Sequence, residues 1–366
     1  MRPSQEDLPP HPPQARPMGY FRRSIEQMTA YEPGFQPKEP GYVKLNTNEN
    51  PYPPSPLVIR AIRNACADGL RKYPDPMADR FRTEAARVLG TRPERLLCVN
   101  GSDELLSIAV RSFCSEGDAV AFPRPTYALY DTLALAQGAR PVAVDFPDDF
   151  SLPDALADTG AKLTLVANPN APTGTFVPPR RIGELAGALS GVLLVDEAYV
   201  DFADDNCLDL VEEHDNVIIA RTLSKSYSLA GLRFGFAVAQ EPLVEGMLKL
   251  KDSYNVDSLA TAGAAAAIAD QAWVKQNVQR IRATRARLTA ELEAMGFGCL
   301  PSQANFVLAR VPEGRDARAL YRGLFDRKIL VRYFNAPRLD DCLRASVGTE
   351  EETDALLAAL RDMLGL

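Results

Sequence analysis

Only two histidines, His11 and His214, occur in the 366 residues of the sequence. His11 lies in a proline-rich stretch and His214 in an acidic one, beside Glu212, Glu213 and Asp215. A Ser-His-Asp hydrolase or a multi-histidine metal centre would have to use one of them, and neither setting suits a triad or a closed ligand set. The six cysteines show no CxxC spacing, and several sit in apolar segments, as buried free thiols do. No apolar run approaches the roughly 18–20 residues that span a bilayer. The nearest candidate, Leu259 to Ala269, is short and alanine-rich and reads as a packed helix. Basic charge is also scarce, with 41 Lys and Arg against 48 Asp and Glu and a net charge of −7. Nucleic acid and anionic membranes are therefore not expected partners, although a local basic pocket for a small anion is compatible with this balance. Met1 to Pro17 is polar, holds six prolines and has no signal-like character, so the expected location is cytoplasmic with reduced thiols.

What is present is enough for a large core. Hydrophobic residues make up 46% of a chain whose length suggests two domains, or one large domain with a smaller companion. Residues 1–17 read as a proline-rich flexible arm, and 18–56 as an irregular N-terminal arm or substrate lid ending in Lys44-Leu-Asn-Thr-Asn-Glu-Asn-Pro-Tyr-Pro-Pro54. Residues 57–255 alternate short buried runs with stretches of helical period. The runs are Leu96 to Asn100, Ala119 to Pro123, Pro141 to Asp145, Leu163 to Ala167, Val192 to Asp196, Val217 to Ala220 and Phe234 to Val238. Strands buried on both faces and separated by helices predict a doubly wound, mainly parallel seven-stranded sheet. The gap between Ala220 and Phe234 holds a loop rather than a full helix, so one strand is expected to run antiparallel. Residues 256–366 read as a smaller α+β domain, with strands at Ala304–Ala309, Ile329–Arg332 and Cys342–Val347 and long helices at Val274–Met295 and Glu350–Leu364.

Open α/β sheets bind ligands outside the carboxyl ends of their strands, so residues there are the first candidates. Lys225 follows Val217 to Ala220 directly, among Ser224, Ser226 and Arg233. A lysine so placed can serve as an amine nucleophile, and the hydroxyls with one arginine make an anion cradle. Asp196 ends the most apolar strand, where a buried carboxylate needs a cationic partner such as a protonated pyridine nitrogen. Glu197 points to the opposite side by strand alternation and reads as structural. In Asn100-Gly-Ser-Asp-Glu, Gly101 permits a tight turn, and the N–H groups opening the next helix attract an oxyanion, although a plain helix cap would look the same. This segment is not GxGxxG, which argues against a dinucleotide site. Asn168-Pro-Asn-Ala-Pro-Thr-Gly174 is a rigid turn that can aim amides into a cleft, and Tyr127 offers a flat aromatic face.

Taken in order, Asn170-Ala-Pro-Thr-Gly174, Asp196-Glu-Ala-Tyr199, Ser224-Lys225 and Leu229-Ala-Gly-Leu-Arg233 resemble the fold-type I pyridoxal-phosphate aminotransferases. The likeness extends over nearly the whole chain after the arm. More narrowly, Leu45-Asn-Thr-Asn-Glu-Asn-Pro-Tyr52, Arg71-Lys-Tyr-Pro-Asp75, Thr222 to Arg233 and Leu343-Arg-Ala-Ser-Val-Gly-Thr349 resemble the histidinol-phosphate aminotransferases. The resemblance implies transamination of L-histidinol phosphate with 2-oxoglutarate, giving imidazole acetol phosphate and L-glutamate in histidine biosynthesis. The alternatives it leaves open are an aromatic or other L-amino-acid aminotransferase, or a related decarboxylase. Regulators built on this fold carry a DNA-binding helical module, for which the N-terminal extension is too short.

The resemblance also implies residue roles. Lys225 would carry pyridoxal 5'-phosphate as a Schiff base and then move a proton at the substrate carbon. Asp196 would hold the ring nitrogen protonated, Tyr199 would bond the ring's phenolic oxygen, and Tyr127 would stack on the ring. Gly101, Ser102, Asp103, Ser224 and Arg233 would surround the phosphate. Tyr73 would reach the site of a partner subunit, implying a homodimer with shared sites. Arg344 would take the substrate carboxylate, Arg332 and Tyr31 the substrate phosphate, and Asn48 would also face substrate; no metal is implied. Where the family has an asparagine before Pro-Thr-Gly, this chain has Ala171, so Asn168 or Asn170 is expected to supply the missing amide.

Overall fold

The computed structural model describes residues 19–26, 28, 34–67 and 70–366. A first short strand, β1 (Val43–Lys44), joins the smaller domain. The seven expected runs then appear as β2 (Leu96–Val99), β3 (Ala119–Arg124), β4 (Arg140–Asp145), β5 (Leu163–Ala167), β6 (Val192–Asp196), β7 (Val217–Thr222) and β8 (Gly235–Ala239). They form a single sheet in the order β2-β8-β7-β6-β5-β3-β4. Only β8 runs against its neighbours, pairing antiparallel with both β2 and β7. The segment between β7 and β8 holds a loop and one turn at Ala230–Leu232, with no crossover helix to return the chain parallel.

The sheet is apolar on both faces because helices cover both. Along β6, Leu193 and Val195 enter one core with Phe81, Phe234 and Phe236, while Leu194 enters the other with Phe122, Tyr130 and Leu165. The helices Pro56–Ala67, Asp79–Leu89 and Ser258–Ala269 pack on the first face; Ser102–Phe113, Leu129–Gln137 and Glu241–Leu248 pack on the second. Ser258–Ala269 is buried on nearly every side, which its run of small residues allows.

The smaller domain contains β9 (Gly298–Cys299), β10 (Phe306–Arg310), β11 (Ile329–Leu330), β12 (Arg332–Tyr333) and β13 (Cys342–Ser346). Four of them form an antiparallel sheet in the order β12-β13-β10-β9, and β11 pairs in parallel with β1. The expected strand 329–332 is therefore two strands, with the chain changing sheets at the buried Val331.

Two segments link the large and small cores. In the helix Gln271–Ala294, Val274, Val278 and Ile281 pack into the large core, whereas Leu288 and Leu292 pack into the small one. This helix therefore bridges the two cores. The end of the expected N-terminal arm is likewise an edge of the smaller domain. Leu45 lies in that core, its N–H donates to Leu330 O at 2.8 Å, and its carbonyl accepts from Ser346 N at 2.8 Å. Residues 1–17 lie outside the described residues. Among the described residues no helix is long and apolar enough to cross a membrane, and no cluster of three or more His, Cys, Asp or Glu could hold a metal ion.

Candidate active site

The carboxyl ends of β2, β3, β5, β6 and β7 lie along one edge of the sheet, and the loops leaving them wall a cavity of about 460 Å3. Lys225 and Asp196 both line it, together with Tyr199 and Tyr127. Lys225 is half-buried; its Nζ donates to the Thr47 carbonyl at 3.3 Å and lies 5.7 Å from the centre of the Tyr199 ring. Asp196 is buried, and among the described residues its carboxylate accepts from neutral donors, Tyr130 Oη at 3.0 Å and Ala198 N at 3.2 Å. Burial pushes its carboxyl up to about 6, against the downward pull of the Tyr130 hydrogen bond. Glu197, next in sequence, is satisfied by Arg221 at 2.8 Å and so stays out of the cavity chemistry.

An anion cradle forms at one end. Gly101 adopts φ +80°, and a Cβ there would fall 2.6 Å from Arg233 Nη2, so only glycine fits. The helix opened by Ser102 presents its free N–H groups to the same space. Arg233 spans the cradle, with Nη1 donating to Ser224 Oγ at 3.4 Å and Nη2 lying 3.5 Å from Asp103 Oδ2. Asp103 in turn accepts from Tyr127 Oη at 3.2 Å, which holds that ring against the cavity wall.

At the other end the smaller domain contributes Arg332 and Arg344, directly opposite each other across the β12–β13 ladder. Arg344 Nη2 donates to the Asn46 carbonyl at 3.1 Å, and its guanidinium stands over the Phe306 and Phe334 rings at 5.0 and 5.4 Å. Tyr31 lies outside the described residues. Tyr73 does not reach this cavity: it is 80% exposed and stacks on Tyr254 at 4.5 Å.

The expected amide substitution for Ala171 does not come from its own loop. Asn168 Nδ2 donates to Val177 O at 2.9 Å and its Oδ1 accepts from Val177 N at 2.8 Å. Asn170 spends its side chain on Pro125 O, Thr173 Oγ1 and the Thr126 hydroxyl. Asn168 thereby ties its loop to Val177, and Asn170 ties it to the loop after β3. Ala171 faces the cavity beside Tyr199.

Sequence reading passed over two further residues. Tyr130 grips Asp196 from below the cavity; the clue was its i+3 spacing from Tyr127, which puts both rings on one face of the turn leading into Leu129–Gln137. Asn50 donates through Nδ2 to the carbonyls of Lys225 and Ser226, both at 3.1 Å, and so holds the lysine loop; nothing local to its position signals that contact.

Residues 40–360 match the family described as aminotransferase class I and II. The chain belongs to this family. Among its aminotransferase relatives, the histidinol-phosphate aminotransferase of Geobacter sp. (strain M21) is 49% identical over 94% of this chain and 98% of that protein. The histidinol-phosphate aminotransferase 1 of Trichormus variabilis is 47% identical over 94% and 99%. The crystal structure of the Sinorhizobium meliloti histidinol-phosphate aminotransferase, in complex with pyridoxal-5'-phosphate, superposes with a TM-score of 0.82 at 32% identity, covering 88% of this chain and 90% of that one. The residues here fit such a group. Asp196 lacks a Lys or Arg partner among the described residues, as a carboxylate awaiting a pyridinium would, and the cradle of Gly101, Ser102, Ser224 and Arg233 suits a phosphate.

Proposed function

We propose that the chain transfers the amino group of L-histidinol phosphate to 2-oxoglutarate, giving imidazole acetol phosphate and L-glutamate in histidine biosynthesis, with pyridoxal 5'-phosphate held in the cavity. The observation that carries the substrate reading is the facing pair Arg332 and Arg344. Cations directly opposed on a ladder repel each other, and an anion between them offsets that repulsion. One phosphate-bearing donor and one dicarboxylate acceptor can use this end of the cavity in turn.

When bound, the coenzyme supplies an electrophilic carbon for amines and a ring that withdraws electrons. The chain's own residues do the rest. Lys225 would hold the coenzyme through Nζ and would move a proton at the substrate carbon that carries nitrogen. Asp196 would hold a proton on the ring nitrogen, because an unpaired carboxylate in this buried position is costly. Arg233, Ser224 and the Ser102 helix start would hold the phosphate, Tyr127 would pack against the ring, and Tyr199 would bond the ring oxygen. Arg344 takes the carboxylate of glutamate, and Arg332 the phosphate of the donor.

A panel of amino donors with 2-oxoglutarate, read as glutamate formed, tests the substrate. We expect kcat/KM for histidinol phosphate to exceed that for phenylalanine by about 100-fold or more; an aromatic preference would overturn the reading. Arg344→Ala should raise KM for glutamate roughly 10- to 100-fold by removing a charge-assisted contact. Unchanged KM would remove its role.

A homodimer with shared sites belongs to the same proposal. An exposed, stacked Tyr73–Tyr254 pair outside the chain's own cavity suits a contact with a partner's cradle. Inactive Lys225→Ala and Tyr73→Ala chains mixed in one solution should regain activity, since each mixed dimer restores one intact site; no recovery would argue for unshared sites. A cytoplasmic location is also part of the reading, and the six free thiols suit a reducing compartment.

A further inference from the structure

Asn48 stands out as over-determined. It is buried, sits at φ +56°, and every polar group it has is used. Its backbone N–H donates to Ser346 Oγ at 2.9 Å, its carbonyl accepts from Asn305 Nδ2 at 3.0 Å, and its Oδ1 accepts from Ser346 Oγ at 3.1 Å. The remaining atom, Nδ2, donates to Tyr199 Oη at 2.9 Å. An asparagine held at a left-handed φ by three bonds is a placed amide, because that backbone conformation costs energy that its surroundings must offset.

The consequence lies in the hydrogen-bond inventory. A tyrosine hydroxyl has one proton to give, and an amide N–H can only donate. With Asn48 donating into the Tyr199 oxygen, the Tyr199 proton must point elsewhere, and Tyr199 is one of the residues that line the cavity. Ala171, beside Tyr199, has no side-chain polar atom to compete, and the Asn168 and Asn170 amides are bonded to Val177 and to Pro125 instead. The amide that the loop does not supply thus reaches Tyr199 from the segment after β1. That segment is bonded to β13 through Ser346, two residues beyond Arg344 on the same strand.

We propose that Asn48 is a positioning residue, rather than a substrate ligand: it aims the Tyr199 proton at the coenzyme's ring oxygen and ties that aim to the seating of the smaller domain. The inference rests on the coenzyme reading given above. Negative charge on the ring oxygen holds a proton on the neighbouring lysine-linked nitrogen. A Tyr199 proton fixed on that oxygen weakens the hold, and losing Asn48 lets it swing away.

The test is a pH titration of the resting holoenzyme's lysine-linked coenzyme absorbance in Asn48→Ala, Asn48→Asp and Ser346→Ala. Lys225 and Arg344, which reach Tyr199 directly and through Phe306, are left in place by all three. We expect the midpoint to rise by roughly half a unit to one unit in Asn48→Ala. It should rise further in Asn48→Asp, whose carboxylate takes the Tyr199 proton for itself, and less in Ser346→Ala, which only frees the amide. Midpoints equal to the parent in all three, with or without a lower melting temperature, would overturn the assignment. If the parent itself shows no lysine-linked absorbance, it is the coenzyme reading that fails.

Discussion

Lys225→Ala is expected to lower kcat by about 10^4-fold or more, because it removes both the amine that binds the coenzyme and the base that moves the proton. Lys225 is the only lysine lining the cavity among the described residues, so no neighbour can stand in for it. Lys225→Arg should fail almost as completely. It keeps the positive charge, but a guanidinium neither condenses with a carbonyl nor gives up its proton near neutral pH. Single-turnover measurements with histidinol phosphate check both variants, and a small primary amine added to Lys225→Ala should return part of the proton transfer. Turnover within tenfold of the parent would remove the mechanism.

Asp196 carries the second large effect, and it is pH-dependent. Its folded-state carboxyl titrates at about 6, above the ordinary value near 3.9 in an unfolded chain. The folded coenzyme-free protein therefore binds this proton more tightly than the unfolded chain does. The associated stability is fully present below about pH 4 and is lost as pH rises through 6, a change on the order of 3 kcal/mol. A bound pyridinium removes the penalty, so coenzyme should raise the melting temperature more at pH 7 than at pH 5. In Asp196→Asn this pH dependence should flatten, since a neutral amide at the same position has no charge to desolvate. The same variant should lose about 10^3-fold in kcat in the holoenzyme, because nothing then holds the ring nitrogen protonated. A parental kcat in Asp196→Asn, or an undiminished pH slope, would count against the role.

Much of this site was legible before any coordinates. Each strand of the large sheet is a short apolar run closed by a turn, and strand ends are where such sheets bind ligands. Lys225, Asp196, Tyr127 and the Gly101 turn could therefore be placed on one edge from their positions relative to those runs. That one strand reverses was legible too, because the gap between Ala220 and Phe234 is too short for a crossover helix; pairing then identifies it as β8.

Other features were not legible, for identifiable reasons. Hydrophobic pattern says that the helix Gln271–Ala294 is partly buried but not that its two halves serve different cores. Asn168 and Asn170 lie beside Ala171 in sequence, yet their amides turn inward to pair with buried carbonyls, a demand that arises only once the loop is packed.

By itself, the sequence determined the alternation of strand and helix, offered Lys225 and Asp196 as the candidate amine and carboxylate at strand ends, and marked Gly101 as a tight turn. These depend on residue type and local period, which every short window of the chain carries. Only the tertiary structure decided that residues 43–48 belong to the smaller domain, that Arg332 faces Arg344, that Tyr130 supports Asp196 and that Asn48 reaches Tyr199 from 151 positions away. Such contacts depend on how two separately packed cores meet, and no local pattern of side chains encodes that distance.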